Sequence, residues 1–577
     1  LICLVPPIAT GSGGRIGPRL EEALARPVTT SLPVWIFFDG KDERDLLMLQ
    51  DASALVSPRS LHRRSRAGLS GSLVDFTDLP VSRRNIEAVK EVGIRIRQVS
   101  KWLNAMSIEV DPGRIHELAR MTQVRHIELV HRFRRDRLSE LTPNHSHDAT
   151  LPRISGSGLD YGFSLPQLER IAVPPLHEQG NFGQGVLVGV FDNGFRLLSH
   201  EAFDSLDIVA TYDFVEHKVD VTPSHPTYGG HGINTLSVIG GYAPGWVIGP
   251  AFQASYILAR TENDSSETPL EEDNWVAAIE WADSIGVEVT STSLVYRGYD
   301  SPYPSWTWED MDGGTTLITR AADMAAAKGI IVVNSAGNNG PSLVPGQNTL
   351  GAPADGDSVI AVGALDQQGV RAGFSSVGPT TDNPPRVKPD VMAPGVAVWC
   401  ASAFDPVGYT NTFQGTSFAC PLVAGVAALL LQANPDATPA DVISAMRQTA
   451  SQAGAPDNLN GWGTLNATAA HNLLQAGGEI PTAIMLRQNY PNPFNSSTTL
   501  QVDLPVAGSV RWEIFDVLGR LVRTFSETPA GPGTHLVVWD GRNGNGIRLS
   551  SGVYIFRALV TTATGTLDLN GKTVLVR

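Results

Sequence analysis

The chain has 577 residues, of which 42% are hydrophobic, and a formal net charge of −15. That length exceeds one ordinary domain, and acidity on this scale argues against a nucleic-acid binder. The longest strongly apolar run, near residues 422–431, falls short of the roughly 20 residues that cross a bilayer.

The opening Leu1-Ile-Cys-Leu-Val-Pro-Pro reads as the tail of a signal-peptide apolar region, so residues 1–30 are taken as leader. Residues 34–39 form an apolar strand, and 82–91 a Ser-capped helix. Residues 94–99 and 105–110 alternate as strands, 111–121 form a helix opening on Pro112, and 124–129 make a last strand. The order β-α-β-β-α-β over 31–137 predicts an α+β ferredoxin-like unit. Between residues 51 and 137 there are 17 Lys and Arg against 10 Asp and Glu, a net +7, which leaves −22 on the remainder. A basic segment on an acidic body suggests a complementary, separable pair, although a solvated basic face has the same composition. The basic run from His131 to Arg137, at the end of that unit, and the polar stretch around His145 and His147 then read as exposed processing sequence, with the linker itself at 138–160. Those two histidines lack the further ligands that zinc requires.

From about residue 161 to 476 the pattern changes to strands alternating with helices, an α/β unit. His177-Glu-Gln-Gly180 lacks the second histidine of a zinc-protease motif and reads as a lead-in helix. Gly185-Val-Leu-Val-Gly-Val-Phe-Asp192 is a strand buried on both faces, with an aspartate at the carboxyl end, where open α/β sheets hold ligands. Asp before Asn-Gly is equally common as a turn cap. Gly229-Gly-His231-Gly opens a helix. Residues 262–273 are acid-rich without spaced cation ligands, which predicts a solvated loop. Ile330-Ile-Val-Val-Asn-Ser335-Ala336-Gly337-Asn338 is a strand ending in a Gly-bounded asparagine, a residue that also suits a turn. Gly415-Thr416-Ser417 precedes a long Ala-rich apolar helix. A serine there lies among orphan N–H groups at the positive end of the helix dipole. Alone, it would be a capping residue of a core helix.

Asp192, His231 and Ser417 occur in the chain order known for subtilisin. With the sequences around them, residues 160–475 resemble the subtilisin-like serine peptidases. The resemblance implies a subtilisin-like parallel sheet flanked by helices, with Ser417 as nucleophile, His231 as general base and Asp192 as its orienting carboxylate. It implies that Asn338 is an oxyanion donor and that Ser293, Leu294, Val295, Ser335, Ala336 and Gly337 line the substrate. The chain departs from the family pattern at Val295, where a glycine is usual. It departs again at Gly232-Ile233-Asn234 and at Cys420-Pro421-Leu422, and none of these changes removes a catalytic group. Residues 31–137 resemble the family's inhibitory pro-domain. No cofactor is required for such chemistry; many relatives bind structural calcium, and that question stays open here. Of the three cysteines, Cys420 is expected as a buried free thiol, and it pairs with Cys400 only if their Cα atoms come within disulfide reach.

After residue 477, short alternating strands with turn signals predict an all-β Ig-like sandwich. Tyr490-Pro-Asn-Pro-Phe and Gly552-Val-Tyr resemble the C-terminal sorting domains of bacterial type IX secretion cargo, which share an Ig-like form with the flagellar hook-capping protein. The expected protein is a secreted or cell-surface bacterial serine endopeptidase, monomeric and made as a zymogen. Its partners are polypeptide substrates, its own pro-domain and a secretion machinery. A catalytically silent surface adhesin on the same fold is the rival reading. An α/β-hydrolase esterase is disfavoured because Ser417 lacks a Gly-x-Ser-x-Gly elbow.

Overall fold

A computed structural model describes residues 15–25, 31–67, 72–92, 95–130, 158–264, 270–298, 305–476 and most of 483–576. The basic run 131–137, the linker histidines His145 and His147, and Tyr490 lie outside the described residues.

The first unit follows the expected pattern. Strands β1 (Leu32–Phe38), β2 (Arg95–Ser100), β3 (Ala105–Val110) and β4 (Val124–Leu129) form an antiparallel sheet in the order β2-β3-β1-β4. Val34, Ile36, Met106, Ile108 and Ile127 fill its own core. Alternate residues of β1, Trp35 and Phe37, project from the other face into the next unit. A strand buried on both faces marks a sheet that is itself covered.

Two elements of this unit were not read from the sequence. Helix α1 (Pro18–Leu24) falls inside the expected leader, yet Leu20 is fully buried in the unit's core. Residues before it run beside edge strand β4: Gly17 N–H donates to Ile127 O (2.9 Å) and Ile127 N–H to Arg15 O (2.8 Å). That covers an otherwise open sheet edge. Helix α2 (Pro58–Arg66), capped by Ser57, carries Arg59, Arg63, Arg64 and Arg66. Helices α3 (Arg83–Lys90), with Ser82 at its N-cap, and α4 (Ile115–Arg120) complete the unit.

The second unit holds seven parallel strands: β5 (Leu187–Asp192), β6 (Asp207–Asp213), β7 (Ser255–Arg260), β8 (Val289–Thr292), β9 (Ile331–Ser335), β10 (Val359–Leu365) and β11 (Val391–Pro394). Their order is β11-β10-β9-β8-β5-β7-β6, so β5 lies inside the sheet between β8 and β7. One face packs on α5 (Gly230–Gly240) and α8 (Thr416–Ala433). The other packs on α6 (Leu270–Ile285) and α7 (Leu317–Ala327). By length and composition α8 would suit a membrane span; 89% of it is buried, and it is the core helix of this sheet.

The acid-rich stretch corrects an expectation. Residues 265–269 lie outside the described set, but Glu271, Glu272 and Asp273 form the first turn of α6 and are buried, as is Glu262. Acids in a first helical turn complement the dipole. Asp273 is covered because the first unit sits on α6, while Glu272 accepts from Trp306 Nε1–H (3.0 Å) within the second unit.

That contact is polar. Asp273 accepts from Trp35 Nε1–H (2.6 Å) and from the Ser107 hydroxyl, with Arg97 3.3 Å away. Glu280 accepts from the Lys101 and Trp102 N–H groups (3.0 and 3.2 Å) and from the Ser100 hydroxyl. Asp283 binds Arg63 and Arg64, and Arg64 also grips Asp78 through two bonds of 2.8 Å. Glu288 pairs with Arg59 and Arg66. Arg59, Arg63, Arg64, Arg66 and Arg97 of the basic segment thus face carboxylates of the second unit.

The third unit is a pair of antiparallel sheets. Thr498–Leu504 pairs with Met485–Leu486 and Gly533–Trp539 in one; Leu521–Ala530, Gly508–Asp516, Gly552–Thr562 and Gly565–Leu575 form the other. Phe494, Leu500, Trp512, Trp539 and Phe556 make its core.

Candidate active site

Asp192 ends β5 and is fully buried. His231 is the second residue of α5, whose N-cap, Gly229, has φ +75°, a conformation suited to glycine. The helix and the strand end approach closely because residue 232 has no side chain: a Cβ there would lie 2.2 Å from Gly194 O and 3.2 Å from Asp192 Cβ. This brings His231 Nδ1 to 2.6 Å from Asp192 Oδ1. Asn193 N–H also donates to Oδ1 (2.8 Å), and Thr235 Oγ1–H donates to Oδ2 (2.9 Å). Burial opposes charge on Asp192, but His231, Asn193 and Thr235 outweigh it and hold the carboxyl below the usual range. The sequence reading missed Thr235. Its only signal was its place four residues after His231, on the same helix face.

Ser417 is the second residue of α8 and is 5% exposed. Its hydroxyl donates to Ser293 O (3.0 Å), and the Ser293 hydroxyl donates to Ser417 O (2.8 Å). The His231 ring stands edge-on to the adjacent Phe418, with centroids 6.1 Å apart. Asn338 lies just beyond β9, half-buried. Its Oδ1 accepts from Thr416 N–H (2.9 Å) and Thr416 Oγ1–H (3.0 Å). Those two donors fix the amide, so its NH2 faces the other way. The Nδ2 atom lies 3.4 Å from where a Cβ on Gly415 would be. The neighbouring Asn339 turns aside, its amide donating to Thr349 O at 3.4 Å.

Ser335 ends β9 and Ala336 and Gly337 follow it, while Ser293, Leu294 and Val295 follow β8. Leu294 is buried, in one cluster with Tyr296, Ala336 and Ala352. Val295 is half-buried and abuts Gly337 and Gly351. Cys400 and Cys420 are free and buried. Burial pushes the Cys420 thiol up to about 12, despite its contact with Thr292 O at 3.4 Å. A thiol held that far above neutrality is no nucleophile.

A parallel α/β sheet with a buried Asp–His pair at one strand end, and with a serine beside an asparagine at a helix tip, holds the residue types that a serine-hydrolase centre uses. The family comparisons give the particular class. The Subtilase family model matches residues 183–463. A Peptidase S8 propeptide domain model (Bacteroidota) matches 33–145, and a FlgD Ig-like domain model matches 492–564. Subtilisin DY of Bacillus licheniformis is 35% identical across 54% of this chain and 97% of its own length. Subtilisin NAT of Bacillus subtilis subsp. natto is 29% identical across 67% of this chain and 86% of its own. The crystal structure of fervidolysin from Fervidobacterium pennivorans, a keratinolytic enzyme related to subtilisin, shares the fold. Its TM-score is 0.54 at 19% identity, covering 94% of this chain and 76% of that one. The chain belongs to the subtilase family: it is a subtilisin-like serine peptidase with a propeptide domain and a C-terminal FlgD-type Ig-like domain.

Proposed function

We propose that the chain is an exported zymogen whose mature form hydrolyses internal peptide bonds through Asp192, His231 and Ser417. The observation that carries this reading is the 2.6 Å bond between His231 Nδ1 and buried Asp192, which orients the imidazole and favours its protonated form during turnover. The Ser417 hydroxyl turns from Ser293 O toward His231 Nε2, gives up its proton and attacks the substrate carbonyl. Such bonds commonly form only in the substrate complex. The oxyanion is held by Asn338 Nδ2–H and by the Ser417 backbone N–H, one of the first-turn donors that no helical carbonyl receives. His231 returns the proton to the leaving amine, and water then cleaves the acyl-enzyme. Residues 293–295 and 335–337 flank the bound chain. No cofactor takes part in these steps.

The first unit acts as an intramolecular inhibitor, removed by cleavage between about residues 135 and 160. The third unit acts as an export or sorting module, which places the enzyme outside the cell. Deleting residues 482–577 is expected to trap active enzyme in the cell envelope; unchanged export would make the module an attachment domain.

The central test is Ser417→Ala. The variant is expected to accumulate as a folded, unprocessed precursor without peptidase activity, and a fluorophosphonate probe is expected to label wild type at Ser417. Activity retained in the variant, or no labelling of wild type, would return the argument to the adhesin reading.

A further inference from the structure

The crevice beside Ser417 is narrowed by one side chain. The ladder between β8 and β9 ends at Thr292 and Asn334, so segments 293–295 and 336–338 beyond it are not paired as strands. A third segment closes the gap: Gly351 N–H donates to Ala336 O (3.3 Å), and Tyr296 and Ala352 exchange two backbone bonds of 2.9 Å. Gly337, which borders the gap, adjoins Asn338, and Ser293 is bonded to Ser417. On the triad reading above, a substrate carbonyl seated between Ser417 and Asn338 sets the side chain on its own residue beside this gap.

Val295 occupies that space. A Cβ on Gly351 would lie 2.7 Å from Val295 Cβ and 3.1 Å from its Cγ2. A Cβ on Gly337 would lie 3.6 Å from the same Cγ2. The isopropyl group thus spans from one wall to the floor. Gly337 has φ +111°, so its backbone alone calls for glycine. Gly351 has no such conformation, and glycine is required there because Val295 already fills the volume a Cβ would need. Leu294 is buried in one cluster with Tyr296, Ala336 and Ala352, and Ser293 is held by Ser417, whereas Val295 reaches both Gly337 and Gly351, with Ser376 also beside Gly337.

We propose that Val295 restricts cleavage to bonds that follow a small residue, namely glycine, alanine or serine. The inference rests on the triad reading above. A β-branched side chain has few rotamers, so it cannot swing aside as a methionine would. Forcing a large residue into a filled space costs on the order of 1–3 kcal/mol or more, which corresponds to roughly tenfold to hundredfold in kcat/KM.

The test uses the self-processed full chain and a panel of peptide p-nitroanilides that differ only in the residue before the scissile bond: Gly, Ala, Ser, Leu or Phe. Wild type is expected to prefer Ala over Phe by about a hundredfold. Val295→Gly is expected to raise the Phe-to-Ala ratio at least about tenfold, with Val295→Ala between the two. Fluorophosphonate labelling and melting temperature report whether each variant retains a folded, competent serine. Labelled wild type that cleaves after Phe or Leu as well as after Ala would overturn the proposal. So would labelled variants whose ratio does not move. Failure of wild type to label or to cleave any peptide would instead sink the triad reading, and this inference with it.

Discussion

The two faces of the seven-stranded sheet are covered by opposite chemistry. On one side α8 is apolar around its whole circumference, with Leu422, Val423, Leu429 and Leu430 at 0% exposure. On the other, α6 turns Trp275, Val276 and Ile279 toward the sheet and buries Asp273, Glu280 and Asp283 under the pro-domain. An apolar partner is costly to remove, because its surface must return to water. A carboxylate regains hydration when its cover leaves, which offsets part of the lost pairing. The permanent neighbour is thus written in aliphatic side chains and the removable one in ion pairs and hydrogen bonds, with Trp35 and Phe37 as apolar anchors.

Three experiments break or sharpen that contrast. The largest effect is expected from Arg64→Ala, which strips buried Asp283 and Asp78 of a shared partner. Breaking such a pair costs about 3–5 kcal/mol. The loss should appear in the melting of the Ser417→Ala precursor and be absent from the mature enzyme. An equal loss in both forms would mean that α2 is not part of a removable cover. Leu429→Ala is expected to cost about 2–5 kcal/mol in precursor and mature enzyme alike, since α8 is core to both. A loss confined to one form would refute the division between the faces.

The smallest effect is a pH dependence of the cover. Burial pushes Asp273 up to about 6, against Arg97, Ser107 and Trp35, and Glu280 up to about 7, against Ser100, Lys101 and the backbone N–H groups of Lys101 and Trp102. With the cover gone, both carboxyls return toward about 4. The covered state therefore binds more protons, so its stabilisation is complete below about pH 4 and is lost as pH rises through 6 to 7. Hydrogen exchange of α6 in the Ser417→Ala precursor should quicken by about tenfold or more between pH 6 and pH 8 relative to α8. Equal quickening of both helices, after correction for the intrinsic exchange rate, would count against a cover that responds to pH.

Much of this architecture was legible because it is local. Strands 105–110 and 124–129 fall where alternation and turn residues placed them, and the Ser82 cap starts α3. Helix α2 escaped because it is short and polar, with no apolar stripe to mark it. Its arginines become interpretable only against Asp283 and Glu288, more than 200 residues away. The buried acids of α6 were misread for the same reason: a run of Glu and Asp reads as solvated until its cover is known.

The sequence by itself determined the strands and helix starts, the chain order of Asp192, His231 and Ser417, and the glycines that leave room around them. These follow from short-range stereochemistry, which a few neighbouring residues specify. Only the tertiary structure decided that Thr235 supports Asp192, that Val295 packs against Gly351, and that Asp273, Glu280 and Asp283 of α6 are sealed under the pro-domain. Those outcomes depend on which distant surfaces meet, and burial then reverses the meaning of a charge or a methyl group that the local pattern alone leaves open.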